Sequence, residues 1–366
     1  MTSVPDATAD IEKIKQRKRD GISLPLEKNV QAKYTSTYLE YVRLIHNALP
    51  EIDYDEIDLS TMFLEHRFSC PFIIDSMTGG TPEATIINAR LGQLAEKYGF
   101  GMGLGSQRAG LTNQELEMTY SIARQNAPTA FLIANIGGAQ LAKNLSLDSV
   151  FKIIDMIDAN ALVIHLNPLQ ELIQPEGEPK YKGVLKKIAE LIKSVSKPVI
   201  VKEVGSGISR DVALMLKDIG VSAINVAGSG GTSWAGVEKL RAELAYNDVK
   251  KHLGELFWDW GIPTALSIIY VRDVVNLPII SSGGLRNGLD VAKSIVLGSD
   301  MGAMAFPFLV RAAESFENLS KFAEMVIIEL KSSMFLVGAV DIPSLKKSKY
   351  ILTGALAQEV VFNESR

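Results

Sequence analysis

The residues best equipped for chemistry stand in one short run, Ala161-Leu162-Val163-Ile164-His165-Leu166-Asn167, followed by Pro168, Gln170 and Glu171. In an extended chain alternate side chains share a face, so Val163, His165 and Asn167 point the same way. An isolated histidine is ordinarily a hydrogen-bonded core residue. Here two polar residues interrupt an apolar strand at its end, which suits anion binding or proton handling. Glu171 cannot form a zinc site without a His or Cys cluster beside it. One carboxylate completed by substrate phosphates and waters is, however, an ordinary way to hold Mg²⁺.

A second kind of chemistry lies in glycine-rich turns. In residues 278–308 the apolar run Pro278–Ile280 breaks at Ser281–Gly284. A helical face of Leu289, Ala292, Ile295 and Val296 follows, then Gly298 and the apolar run Gly302–Phe306. Backbone N–H groups at such a turn and at the helix start form an anion site, although a plain βαβ turn reads the same way. Gly228-Ser229-Gly230-Gly231-Thr232-Ser233 is a second turn of this type. Lys202 ends the apolar run Pro198–Val201, Asn135 ends another, and Arg108 offers a guanidinium suited to phosphate. Two glycine-rich turns with Lys202 and Asn135 point to a phosphate-bearing planar cofactor. A lysine near a flavin's N1–C2=O edge stabilises negative charge on the reduced ring. The triplet Arg17-Lys18-Arg19 is either a solvated face or an arm that carries cations to a phosphate.

These residues need elements to hold them on one rim. Eight apolar runs, each followed by a helix-like stretch, cover Pro71–Met77, Gly101–Gly105, Ala130–Ile136, Ala161–Leu166, Pro198–Val201, Ala223–Ala227, Pro278–Ser281 and Gly302–Phe306. Near-continuous apolarity fits strands buried on both faces. The pattern predicts an α/β fold, a (β/α)8 TIM barrel with an N-terminal extension and C-terminal helices. An open doubly wound sheet is the alternative, but its early Gly-x-Gly-x-x-Gly fingerprint is missing. The expected layout is a single domain over residues 1–366. It has an arm at 1–60, a long insertion at 228–277 and C-terminal helices within 312–366, at about 312–336 and 343–358. The insertion carries Trp234, Phe257, Trp258 and Trp260 and would cover the barrel mouth or serve a subunit contact.

The 366 residues are 47% hydrophobic and 22% charged with a net charge of −4, an ordinary globular mix without general nucleic-acid affinity. A single cysteine, Cys70, excludes an internal disulfide, a Cys-rich zinc site and an iron–sulfur cluster. No basic-plus-apolar export signal opens the sequence and no apolar run is long enough to span a membrane. A cytoplasmic protein with neither nucleic-acid nor membrane partners is expected.

Taken in order, the motifs are Arg17-Lys18, Ser76-Met77-Thr78-Gly79-Gly80, Gly105-Ser106-Gln107-Arg108, His165-Leu166-Asn167-Pro168-Leu169-Gln170-Glu171 with Gln174-Pro175-Glu176-Gly177, Val201-Lys202-Glu203, Gly230-Gly231-Thr232, Ser282-Gly283-Gly284-Leu285-Arg286-Asn287-Gly288 and Gly302-Ala303-Met304-Ala305. In this order, over about residues 15–355, the chain resembles the type 2 isopentenyl diphosphate isomerases, FMN-dependent enzymes of isoprenoid synthesis. The His165–Gln174 motif is specific to that family; the last two glycine loops are shared among FMN barrels.

The resemblance implies redox-neutral isomerisation of isopentenyl diphosphate to dimethylallyl diphosphate with reduced FMN, Mg²⁺ and NADPH or another reductant. It implies FMN contacts from Ser76, Met77, Thr78, Ser106, Asn135, Lys202, Thr232, Gly283, Gly284, Arg286, Ala303 and Met304. Diphosphate contacts would come from Arg17, Lys18, Ser106, Gln107, Arg108, His165, Asn167 and Gln170, and the Mg²⁺ ligand would be Glu171. Gln170, Lys202, His165 and Asn167 would be catalytic, with Gln170 near the double bond and the flavin N5 region as proton donor and acceptor. It further implies a homo-oligomer, a tetramer or octamer.

Two departures stand out. The family's arm reads Arg-Lys-x-x-His, whereas Gly21 stands here where the histidine would be, and Ala227 offers no hydroxyl beside the strand-six glycines. Three rivals weigh against the isomerase. An FMN α-hydroxy-acid oxidoreductase needs a histidine base near strand six or seven, and the loop 228–233 has none. An inosinate-type dehydrogenase needs a loop cysteine, but Cys70 precedes strand one. A protein that kept the fold without the activity would not need His165, Asn167, Gln170 and Glu171 together.

Overall fold

The computed structural model describes the backbone of residues 7–143 and 145–364 and the side chains of residues 16–143 and 145–361. The first residues, read above for an export signal, lie outside the described residues, as does the extreme C-terminus of the expected helical tail.

Eight parallel strands close into a barrel. They are β1 (Phe72–Ile74), β2 (Gly101–Gly103), β3 (Leu132–Gly137), β4 (Ala161–His165), β5 (Val199–Lys202), β6 (Ala223–Asn225), β7 (Ile279–Ser281) and β8 (Met301–Met304). Each overlaps one of the apolar runs. Closure is made by β8 against β1, with Gly302 opposite Phe72 and Met304 opposite Ile74. Inside, Ile73, Ile133, Val163, Ile200, Ile280 and Met301 pack into one apolar cluster. The hairpin Thr61–Phe63/His66–Phe68 adds Phe63 and Phe68 to that cluster, beside Phe131 at the start of β3. The lower half of the barrel is therefore filled by side chains, which leaves only the C-terminal strand ends for chemistry.

The helices that follow the strands start where short polar side chains cap them. Thr81 accepts from Ala84 N at the head of Pro82–Tyr98, Ser209 from Val212 N, and Asn287 from Asp290 N. Such caps satisfy N–H groups that the helix cannot, and they aim each helix N-terminus at the mouth.

The N-terminal helix Ala7–Glu27 lies against the helix Trp234–Leu244 of the long insertion. Beyond it the chain is stitched to the strand-six loop: Ala32 N donates to Gly231 O and Ser233 N to Val30 O. In the insertion Trp234 turns toward the mouth, Trp258 is buried with Nε1 donating to Gln31 O, and Trp260 is exposed.

The C-terminal part differs from expectation. The stretch from 306 to 337 is two helices, Phe306–Glu314 and Phe316–Val337, broken at Ser315, whose hydroxyl caps the second. The helix expected over 343–358 is a short helix Ile342–Lys346, a strand Tyr350–Leu352 and a helix Gly354–Glu364. That strand pairs antiparallel with Val42–Leu44, in the arm. A three-residue strand whose partner lies some three hundred positions away leaves no local periodicity to read. Among the described residues no helix is long and apolar enough to cross a membrane.

Candidate active site

Strand ends and the loops after them enclose a cavity over the barrel mouth, and the N-terminal helix and the helix Trp234–Leu244 form its outer wall. Its floor is polar. Lys202, at the end of β5, is buried, donates from Nζ to Glu203 O at 2.9 Å and lies 3.4 Å from Asp75 Oδ2. The Glu203 carboxylate accepts the amides of Val204, Gly205 and Ser206 and so ties down the loop that follows β5. Burial still pushes this carboxyl up to about 7, against those hydrogen bonds and nearby Lys202.

One side of the cavity is an anion cradle. The turn after β7 needs its two glycines. Gly283 has φ 93°, and a Cβ there would stand 2.1 Å from Gly228 O; Gly284 has φ 80°, and a Cβ there would meet Thr37 Cγ2 at 2.3 Å. Among the described residues the amides of Gly283, Gly284 and Leu285 meet no backbone acceptor. They are free donors at the head of the helix Gly288–Val296, and the helix Phe306–Glu314 after β8 presents a second N-terminus with no side-chain cap. The Arg286 guanidinium is held by Leu285 O and Gln31 Oε1 over the Phe306 ring. Two helix N-termini, free amides and an arginine make a donor set for a phosphate monoester.

Opposite stands a cluster of cations. Lys18 Nζ donates to Ser106 O at 2.9 Å. Part of its side chain still meets solvent, yet burial, then Arg17 and Arg108, brings its ammonium down to about 7. Burial also lowers Arg17; Glu176 at 4.0 Å raises it, and Arg108 lowers it further. Three crowded cations at a half-buried rim form a site that an anion would relieve.

His165, the last residue of β4, faces this cluster, and Asn167 follows it into the cavity as the residue before the helix Pro168–Ile173. Asn135 Nδ2 donates to Leu104 O, which turns its Oδ1 toward His165 Nδ1 at 2.8 Å. His165 therefore carries its proton on Nδ1 and leaves Nε2 as an acceptor. Burial first, then Lys202, Lys18 and Arg17, pushes its pKa down to about 3, so the ring is neutral. Asn167 is buried, accepts from Tyr181 Oη at 2.9 Å and donates to Gln170 Oε1 at 3.1 Å. Glu171, also buried, takes Gln174 Nε2 and Glu178 N on Oε2 and leaves Oε1 toward Asn167 at 3.5 Å. No group of three or more His, Cys, Asp or Glu that could hold a metal occurs among the described residues. Any ion at Glu171 would therefore take most of its ligands from substrate and water.

Of the site residues expected from sequence, Ser76, Met77, Thr78, Ser106, Asn135, Lys202, Thr232, Gly283, Gly284, Arg286, Ala303 and Met304 line the cavity. So do Arg17, Lys18, Arg108, His165, Asn167, Gln170 and Glu171. Gln107 alone does not. It is fully buried, with Nε2 on Ile153 O and Oε1 accepting from Asn135 N, so it props β3 rather than facing a ligand. Sequence reading missed a second ring of residues. Gln170 Nε2 donates to Glu238 Oε1 at 2.9 Å, and Glu238 pairs with Arg241, which also reaches Glu176 and Asp20. Asp75, Asn225 and Ser282 form a further buried polar group beneath the cavity. Glu238 and Arg241 sit at helical spacing three apart in a stretch that reads as a solvated face, and that concealed them.

A family model described as FMN-dependent dehydrogenase matches residues 158–352. Among curated relatives, an isopentenyl-diphosphate delta-isomerase of Archaeoglobus fulgidus is 47% identical over 95% of this chain and 98% of its own length. Those of Methanosarcina barkeri and of a Nostoc species are also 47% identical, covering 93% and 94% of this chain and 92% and 97% of the relatives. Among solved structures, a putative lactate oxidase of Pediococcus acidilactici superposes with TM-score 0.65 at 14% identity, over 96% of each chain. A mutant flavocytochrome b2 with pyruvate bound gives TM-score 0.65 at 17% identity, over 99% of this chain and 93% of that one. At such identities these two structures bear on the barrel alone.

Proposed function

This chain belongs to the isopentenyl-diphosphate delta-isomerase family of FMN-dependent proteins and is an isomerase; from that premise we propose that it converts isopentenyl diphosphate to dimethylallyl diphosphate with FMN held reduced and Mg²⁺ bound at Glu171. The observation that carries the proposal is the convergence of Arg17, Lys18 and Arg108 on the face presented by His165 and Asn167, across the mouth from a phosphate cradle. One cavity thus offers two anion sites, one for the cofactor's phosphate and one for the substrate's diphosphate.

The amides of Gly283, Gly284 and Leu285, with Arg286, suit the FMN phosphate, and Lys202 suits the pyrimidine edge of the ring. Met77, Thr78, Ser106, Thr232, Ala303 and Met304 line the space between. Reduced FMN, when bound, would supply the proton donor and acceptor that an allylic shift requires. NADPH or another reductant would keep it reduced.

The chain's own residues do the positioning. Arg17, Lys18 and Arg108 neutralise the diphosphate, His165 Nε2 accepts a proton as the anion arrives, and Asn167 donates to it. Glu171 would hold the Mg²⁺, which would help to neutralise the diphosphate. Gln170, fixed by Asn167 on one side and Glu238 on the other, orients the alkene and can relay a proton. Burial raises Glu238 above the usual carboxyl range, which suits a group that exchanges protons. The docked arm walls the cavity, which excludes water and fixes the reacting geometry.

α-Hydroxy-acid oxidation, the rival chemistry of the fold, asks for a histidine base beside the loops after β6 or β7. Besides His165, the histidines are His46, His66 and His252, in the arm, the hairpin below the barrel and the helix Asp248–Leu256.

The test is turnover of isopentenyl diphosphate by the purified protein with FMN, Mg²⁺ and a reductant. Dimethylallyl diphosphate should form only with reduced flavin and should be lost in Glu171→Ala. Bound flavin with no isomerisation in either redox state would overturn the reading.

A further inference from the structure

The floor of the cavity holds a charge that the reaction as outlined does not use. Asp75 follows β1 directly, and its carboxylate lies 3.4 Å from Lys202 Nζ. It accepts Ser76 N at 2.8 Å, and Asn225 Nδ2 lies 3.4 Å from each of its oxygens. Asn225 is held in that orientation because its Oδ1 accepts from Ser282 Oγ at 2.6 Å and from Ala227 N at 3.3 Å. Asp75, Lys202, Asn225 and Ser282 are all less than a tenth exposed. Every polar group facing the Asp75 carboxylate is a donor: the Lys202 ammonium, Ser76 N and Asn225 Nδ2.

A lone buried lysine beside a flavin would act as a full positive charge and draw negative charge onto the reduced ring. A carboxylate 3.4 Å from that ammonium turns the charge into a short dipole, whose field falls off faster with distance. The lysine then keeps its hydrogen-bonding geometry while much of its net charge is cancelled. The other titratable groups facing Lys202 are His165, held neutral, and Glu203, whose carboxylate is engaged by its own loop amides.

We propose that Asp75 is the counter-charge to Lys202, limiting how far the bound FMN accumulates negative charge on reduction so that the reduced ring keeps the proton at N1. The proposal rests on the FMN reading above and concerns a positioning residue that acts through Lys202 and the field at the ring. It fits a reaction in which the cofactor ends each turnover in the redox state in which it began, because the ring is then needed as a proton carrier more than as an electron store.

The experiment is the reduction potential of protein-bound FMN, measured against pH by dye equilibration for the wild type, Asp75→Asn, Lys202→Gln and the double variant. Asp75→Asn should favour the reduced form about tenfold, a rise of about 30 mV for a two-electron couple. The break in the pH dependence that marks N1 ionisation should move to lower pH. Lys202→Gln should shift both in the opposite sense, and adding Asp75→Asn to it should raise the potential again. The added step reads the Asp75 charge even if the single variant folds poorly. Stoichiometric FMN with an unchanged potential in Asp75→Asn, or no difference between Lys202→Gln and the double variant, overturns the proposal. A wild-type protein that binds no FMN instead overturns the flavin reading on which it rests.

Discussion

Arg241 Nε stands 3.0 Å from Asp20 Oδ2 and joins the N-terminal helix to the helix Trp234–Leu244, 221 positions away in sequence. The same guanidinium gives Nη2 to Glu176 at 2.9 Å and Nη1 to Glu238 at 2.7 Å. Burial works against its charge, but Glu238 and Glu176 more than offset that and raise its pKa. One buried arginine therefore fastens three things: the arm that carries Arg17 and Lys18, the loop after Glu171, and the carboxylate behind Gln170.

Cutting only the arm's tether should show in substrate affinity. Asp20→Asn removes one charged partner, and the KM for isopentenyl diphosphate should rise about tenfold, equivalent to about 1.4 kcal/mol, with kcat nearly unchanged. Arg241→Met should be far worse, because it strands Glu238 in the interior and costs about 3–5 kcal/mol of stability. Steady-state kinetics and thermal denaturation check both. An unchanged KM in Asp20→Asn would mean that the arm docks without this contact.

Proton uptake should accompany diphosphate binding. In the ligand-free protein Lys18 titrates near 7, so at pH 8 it is mostly neutral, and an anion beside it restores the charge. Calorimetry at pH 8 in buffers of different ionisation enthalpy should give a net uptake for the wild type. Lys18→Met should take up about one proton fewer. Affinity should fall as pH rises above 7. Buffer-independent heats that do not differ between the two proteins would remove Lys18 from the diphosphate site.

The barrel was legible because each strand is buried on both faces and so is written as an uninterrupted apolar run. His165 and Asn167 were legible for the same reason, as polar residues in a strand that otherwise has none. Lys202 stood out likewise. Asp75 did not, although it falls within the run Pro71–Met77, because that run passes straight into Ser76-Met77-Thr78-Gly79-Gly80; only its approach to Lys202 across the barrel gives it meaning. Glu238, Arg241 and Asp20 were hidden by ordinary helical charge patterning, which carries no mark of a contact made across 221 positions. Gln107 erred the other way. It lies between Ser106 and Arg108, which line the cavity, and the chain's turn there points it inward to Ile153 O.

Burial, with Lys202, Lys18 and Arg17 nearby, predicts a His165 that stays neutral through the working range as long as no anion occupies the site. With its pKa near 3 in the fold and about 6.5 in the unfolded chain, the unfolded state binds more protons between those values. Its share of stability is thus fully present above about pH 6.5 and is lost as pH falls toward 3. Asn135→Asp puts a carboxylate at Nδ1 and should raise the His165 pKa by one or more units. NMR titration of the labelled ring in wild type and variant reads this directly. A wild-type His165 resonance titrating between pH 6 and 7 would show that burial does not hold the ring neutral.

Gly21 offers the sharpest test of how the arm works, because it lies within the helix Ala7–Glu27. A Cβ there would meet only Trp234 Cη2, at 3.9 Å, an ordinary contact. A mid-helix glycine costs about 0.5–1 kcal/mol relative to alanine, so this chain keeps its arm looser than a side chain at that position would. Gly21→Ala should stabilise the docked arm by about that amount and lower the KM for isopentenyl diphosphate two- to five-fold, with kcat equal or slightly reduced if arm opening limits product release. Gly21→His adds an imidazole beside Trp234, near Arg17 and Lys18. If the ring itself contacts the diphosphate, the histidine variant should gain more affinity than alanine, and the excess should fade above pH 7 as the ring loses its proton. Equal gains from alanine and histidine would assign the whole effect to helix propensity. No gain from either would mean that the arm is already fully docked through Asp20 and Arg241 before substrate arrives.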